Sequence, residues 1–125
     1  MQIRTVLASV YVRDHASCIA WYSTLFGRTF DGKPHEQCRE WKLIEGTYFQ
    51  VLAASASSCP PSSSIAVVVG SVDEEYGRLR SLDLEVKEIV EYPGFVRTCA
   101  ATDPEGNVIT LVEVINAVAP GARDA

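Results

Sequence analysis

The chain repeats itself, and the repeat constrains its fold more than any other feature. Shifted by 57 places, Val12 falls on Val69, Asp14 on Ser71, Ile19 on Tyr76, Tyr22 on Leu79 and Leu25 on Leu82. A strand end, a helix cap and an apolar helical stripe therefore recur together. Shifted by 60, the turn at Gly46 falls on the turn at Gly106, and Gln50 falls on Thr110. In the first copy, residues 3–12 are rich in apolar and β-branched side chains and read as a buried strand. Asp14 then caps a helix over 16–26, where Ile19, Tyr22, Leu25 and Phe26 form one stripe and Gly27 stands at the C-cap. Short extended pieces at 28–30 lead into a polar loop through Gly32, Lys33 and Pro34. Strands are predicted at 38–44 and 47–53, joined by Glu45-Gly46. The second copy has a strand at 64–69, then Ser71 and Glu74 as a capping box opening a helix with the stripe Tyr76, Leu79, Leu82. Strands at 84–91 and 95–102 follow, parted by Tyr92-Pro93-Gly94. The reading is α+β, with two tandem βαβββ modules at about 3–54 and 64–116 in one domain over 1–116. Residues 54–63, small side chains and a proline pair, read as a linker, and 117–125 as a flexible tail.

At 125 residues, 47% hydrophobic and 22% charged, the chain has the composition of one compact globule. A formal charge of −5 argues against nucleic acid as a partner, because phosphate binding needs a basic face. No apolar run approaches the roughly 20 residues that cross a bilayer, so no membrane is expected. Cys18, Cys38, Cys59 and Cys99 show no metal-binding spacing and read as packed thiols in a reducing, cytoplasmic setting.

Asp103-Pro104-Glu105-Gly106-Asn107 is turn chemistry, and Val108 to Glu113 reads as the strand it launches. As a string it resembles the closing hairpin of the glyoxalase/bleomycin resistance/dioxygenase superfamily, the vicinal oxygen chelate fold. Val12-Arg13-Asp14 leading to Ala20-Trp21-Tyr22 and Leu25-Phe26-Gly27 is similar to that family's first strand and helix. The resemblance implies two modules whose strands form a curved mixed sheet around a concave cleft, with the helices outside. It also implies a homodimer. Family enzymes hold a divalent metal with His, Gln or Glu from the first and last strand of each module. The matching positions here are Leu7, Gln50, Ser64 and Thr110, which offer neither imidazole nor carboxylate. No metal and no other cofactor are therefore expected.

If those four positions face the cleft, alternation puts Ser9, Tyr11, Tyr48 and Leu52 on the same side, together with Ala66, Val68, Val108 and Val112. Trp41, Tyr92 and Phe95 are further aromatic candidates, although the phase of 38–44 is open and Trp41 fits equally well under the helices. The candidate ligand-binding set is Leu7, Ser9, Tyr11, Trp41, Tyr48, Gln50, Ser64, Val68, Tyr92, Phe95 and Thr110. No nucleophile motif or phosphate loop is present, and Glu40, Glu45 and Arg97 have no support as acid–base groups, so no catalytic residue is assigned. Glu113 reads as a solvated or ion-paired strand end. The expected function is non-enzymatic binding of a small apolar, aromatic or cationic molecule, in the manner of the drug-sequestering bleomycin resistance proteins. The alternative is a lyase, isomerase or dioxygenase with a non-standard metal site or metal-free acid–base chemistry.

Overall fold

The computed structural model describes residues 1–55 and 59–115. The expected tail at 117–125 and the middle of the expected linker at 54–63 lie outside the described residues. The chain divides into two compact units, Met1–Ser63 with Asp103–Asn107, and Ser64–Thr102 with Val108 onward.

The first unit contains β1 (Val6–Val12), α1 (His15–Phe26), β2 (Gly32–His35), β3 (Cys38–Ile44) and β4 (Thr47–Ala53). Its sheet runs β1-β4-β3-β2, parallel between β1 and β4 and antiparallel elsewhere. The second unit contains β5 (Ser64–Val68), α2 (Val72–Ser81), β6 (Val90–Tyr92), β7 (Val96–Thr102) and β8 (Val108–Val114), in the order β5-β8-β7-β6. Two βαβββ modules with identical connectivity follow from the sequence repeat, and the fold is α+β. No helix among the described residues is long and apolar enough to cross a membrane.

The helix ends behave as their sequences dictate. Asp14 accepts from the Ser17 amide, and Gly27 closes α1 in the left-handed conformation at φ 74°. Ser71 accepts from the Glu74 amide at the start of α2. The Val72 amide of that same turn donates to Glu113 at 2.8 Å. Glu113 is thus an acceptor for a helix N-terminus, where a carboxylate is favoured, rather than a solvated strand end. The stripe of α2 runs through Val72 and Leu79, both fully buried, whereas Leu82 lies beyond the last turn and is exposed; Leu84 and Val86 fill the core instead.

Strand limits depart from expectation for reasons of pairing. Residues 3–5 stay outside β1 because its partner β4 begins at Thr47, directly after the Glu45-Gly46 turn. The loop expected at 32–34 is β2, an edge strand that accommodates Pro34. The strand expected at 84–91 shrinks to β6. Three residues lie between Val86 and Val90, while only two lie between their partners Ala101 and Thr98, so one surplus residue breaks the ladder. β2 has the same defect, two residues against one between its pairs Gly32↔Glu40 and His35↔Cys38. The edge strands β2 and β6 are therefore interrupted, which blunts edge-to-edge aggregation there.

In the first unit the core is aromatic. Tyr22, Trp41 and Phe49 are fully buried, and ring centroids lie 4.9 Å apart for Tyr22–Phe49 and 5.7 Å for Phe26–Trp41. Beside it sits the 103–107 loop. Gly106 takes φ 92°, a left-handed conformation that calls for glycine, and a Cβ there would also press on Ser62 Oγ at 3.1 Å. Buried Asp103 accepts from the Tyr22 hydroxyl and from the Asn107 side-chain amide, both at 2.8 Å. It also accepts from the backbone amides of Glu105 and Asn107. Glu105 in turn accepts from the amides of Arg13 and Asp14, at 2.7 and 2.6 Å, at the corner between β1 and α1.

That cluster has an alkaline consequence. Burial, then the charges of Asp103 and Glu105, push the Cys18 thiol up from near 9 to about 12. Burial first, then the Asp103 carboxylate, also drives the Tyr22 phenol upward. An acid held neutral by the fold stabilises fully below its unfolded pKa and loses that contribution as pH climbs toward the folded value. Stability should therefore fall between pH 9 and 12, each group adding a slope of at most about 1.4 kcal/mol per pH unit. Thermal melts across that range should show a shallower decline for Cys18→Ala than for the parent; identical slopes would refute the assignment.

Candidate functional site

Each sheet has one face covered by its helix and one open face. On β1, Val10 and Val12 are fully buried, while Tyr11 between them is 41% exposed. On β4, Phe49 and Val51 are fully buried and point to α1. Alternation leaves Leu7, Ser9 and Tyr11 of β1, and Tyr48, Gln50 and Leu52 of β4, on the open face of the first unit. Leu7 lies opposite Tyr48, Ser9 opposite Gln50, and Tyr11 opposite Leu52.

β3 brings a correction. Trp41 pairs with Phe49, not Gln50, and so faces α1. It is fully buried, its ring packs on Tyr22, Phe26 and Phe30, and its indole N–H donates to the Arg28 carbonyl at 3.0 Å. Trp41 belongs to the core and leaves the ligand-binding set. Glu40, Gln50's true partner, takes the place that Trp41 was expected to hold.

A hydrogen-bonded row results across three strands. The Ser9 hydroxyl donates to Gln50 Oε1 at 3.2 Å, and Gln50 Nε2 donates to Glu40 Oε1 at 2.9 Å. The row is half-buried, with Tyr48 and Leu52 beside it on β4. From the other edge of β1, Ser63 Oγ and Asn107 Nδ2 lie within 3.4 and 3.5 Å of the carbonyls of Ser9 and Tyr11. These contacts hold the backbone that presents the open-face side chains.

In the second unit, Ile109 and Leu111 are buried on the α2 side, which leaves Val108, Thr110 and Val112 of β8 on the open face. Ser64, Ala66 and Val68 of β5 share it; Ala66 lies opposite Thr110 and Val68 opposite Val112. Tyr92 and Phe95 are exposed at the turn between β6 and β7, where the Phe95 amide bonds the Tyr92 carbonyl at 2.9 Å and Gly94 takes φ 71°. Arg97 lies on the α2 side, paired with Asp73 and Glu91 at 2.8 and 2.7 Å. That arrangement gives it a structural role.

The donor set does not fit a divalent metal. Leu7 has no donor, Ser64 and Thr110 have neutral hydroxyls, and both ends of the Gln50 amide are already engaged by Ser9 and Glu40. Among the described residues, no three His, Cys, Asp or Glu side chains group closely enough to hold a metal ion.

No protein-family model and no curated protein matches the chain. Solved structures do. The chain is similar to a glyoxalase/bleomycin resistance protein from Catenulispora acidiphila, with a TM-score of 0.78 and 25% identity over 88% of this chain and 97% of that one. It is similar to TnmS3, an antibiotic binding protein from Streptomyces sp. CB03234, with a TM-score of 0.74 and 23% identity over 91% and 98%. A lactoylglutathione lyase from Agrobacterium tumefaciens gives a TM-score of 0.72 and 19% identity over 86% and 91%.

Proposed function

We propose, from the premise that this chain has the vicinal oxygen chelate fold of the glyoxalase/bleomycin resistance/dioxygenase superfamily, that it binds a small organic molecule and performs no chemistry on it. The observation that carries this reading is the donor chemistry at the family's metal positions. Leu7, Ser64 and Thr110 supply neither imidazole nor carboxylate for a divalent ion, and Gln50 is tied into a hydrogen-bonded row. What the open faces do offer is apolar and aromatic area with sparse polar anchors, the usual make-up of a site that recognises by shape. Leu7, Ser9, Tyr11, Tyr48 and Gln50 of the first unit, and Ser64, Val68, Tyr92, Phe95 and Thr110 of the second, remain the proposed contacts. Sequestration of an antibiotic is the proposed role, supported by the similarity to TnmS3, an antibiotic binding protein. The proposal also takes the protein as a cytoplasmic homodimer, a setting in which its free thiols are stable.

Thermal shift of dialysed protein against a panel of aromatic, apolar and cationic compounds tests the reading. A true guest at a hundred times its Kd adds about 2.7 kcal/mol of stability, several degrees in Tm. Tyr11→Ala and Tyr48→Ala should each weaken that guest about tenfold, the worth of one aromatic contact, with little change in the unliganded melt. Stoichiometric metal in the purified protein, with turnover of any compound in the panel, would reverse the conclusion. It would favour a lyase, isomerase or dioxygenase instead. That second reading has one observation of its own, the Glu40 carboxylate on the open face as a candidate general base.

A further inference from the structure

Resting on the binding reading above, we infer that Glu40 is the charge anchor of the site and that the guest carries a cationic group, an ammonium or guanidinium, attached to an apolar or aromatic body.

The inference starts from the state of the carboxylate. Glu40 is half-buried on the open face of the first sheet. One of its oxygens, Oε1, is held by Gln50 Nε2 at 2.9 Å. The amide cannot turn over cheaply, because that would set its oxygen against the acceptor-only Glu40 carboxylate, while the Ser9 hydroxyl donates to Oε1 at 3.2 Å at the other end. Gln50 is thus held between Ser9 and Glu40, and it holds Glu40 in return. A carboxylate held in this way is preorganised, so a partner need not spend binding energy on ordering it.

The second observation is that the partner is missing from the protein. Among the described residues no cation pairs with Glu40, and the nearby bases are occupied elsewhere. Lys42, on the same face of β3, reaches Glu45 at 2.7 Å. Lys33 reaches Glu36 at 2.7 Å, and Arg28 reaches Asp31 at 2.6 Å. Arg39 lies over the Phe30 ring and donates to backbone carbonyls.

Space supplies the third. The residue opposite Glu40 on β2 is Gly32. A Cβ built there would stand 3.7 Å from Glu40 Oε2, in van der Waals contact, so a bulky side chain at this position would crowd that oxygen. The absent side chain leaves Oε2 approachable. Tyr48 and Leu52 on the same face supply the walls against which an apolar body packs, and Tyr48 supplies a ring face for a cation. A half-buried carboxylate flanked in this way discriminates by charge: a cation gains a charge-assisted contact, a neutral guest leaves the carboxylate uncompensated, and an anion is repelled. The net charge of −5 adds long-range attraction in the same sense.

The test uses three probes of one shape, 2-phenylethylamine as the cation, 2-phenylethanol as the neutral form and phenylacetate as the anion, titrated by NMR into the full chain at neutral pH. The amine should bind at least tenfold tighter than the alcohol, and phenylacetate should bind weakest. Glu40→Gln should abolish the preference while keeping affinity for the alcohol. Gly32→Leu, which leaves the carboxylate in place but covers it, should weaken the amine selectively and guards against a folding defect in the first variant. If the alcohol binds as well as the amine, or if both variants retain the preference, the anchor is wrong although the binding site stands. Failure of all three probes to bind would overturn the binding reading and this inference with it.

Discussion

Asp103→Ala should lower the stability of the protein by about 4 kcal/mol, at the upper end of what one side chain contributes. The carboxylate is 3% exposed and serves four donors: the Tyr22 hydroxyl, the Asn107 side-chain amide and the backbone amides of Glu105 and Asn107. Alanine leaves all four without their acceptor in a site that admits little water, and each orphaned buried group costs about 1–3 kcal/mol before relaxation. The loop also loses its closure, and with it the placement of Glu105 against the Arg13 and Asp14 amides. Tyr22→Phe should cost less, about 1–2 kcal/mol, since Asp103 keeps three donors. The double variant should fall well short of the sum, because both substitutions break the same hydrogen bond. Urea unfolding of the three variants measures this directly. A loss below about 1 kcal/mol for Asp103→Ala would mean that the loop is a passive turn and that its acidic groups do not hold the corner between β1 and α1.

The loop also shows how far the sequence could be read. Its turn chemistry was legible: Pro104 follows Asp103, and Gly106 adopts the left-handed conformation. Its partners were not, since nothing local says that Asp103 meets Tyr22, 81 residues away. The modules themselves were legible because caps and apolar stripes are short-range signals, and because the repeat supplied them twice. Caps read as Asp14 and Ser71 are the caps observed. Surplus residues were the blind spot. Counting outward from a plain two-residue turn pairs Ile44 with Thr47 and Trp41 with Gln50. The extra residue between Lys42 and Ile44 pairs Trp41 with Phe49 and Glu40 with Gln50 instead. A one-residue slip reverses every side chain beyond it. That slip removes Trp41 from the open face and puts Glu40 there. The only sequence cue was charge beside an amide, and charged residues on strands are so often solvated that the cue carried little weight.

Trp41→Ala should cost about 4 kcal/mol, the range for truncating a large aromatic in a packed core, and should leave ligand affinity unchanged in the protein that remains folded. The indole is fully buried, packs on the Tyr22, Phe26 and Phe30 rings, and donates to the Arg28 carbonyl. Its loss opens a cavity and orphans an acceptor together. Trp41→Phe keeps most of the apolar contact and should cost about half as much; both variants leave the Arg28 carbonyl without the indole donor, so the difference between them is the packing that Phe retains. Urea unfolding followed by far-UV circular dichroism gives the stabilities, and titration with the best compound from the thermal-shift panel gives the affinities. The pair of measurements separates the two faces of β3. Core and ligand face alternate along a strand, so Trp41 and Glu40 cannot both contact the guest. If Trp41→Ala weakens binding while barely moving the urea midpoint, the indole lies on the open face. The register of β3 is then shifted by one, and Glu40 turns away from the guest that it is inferred to anchor.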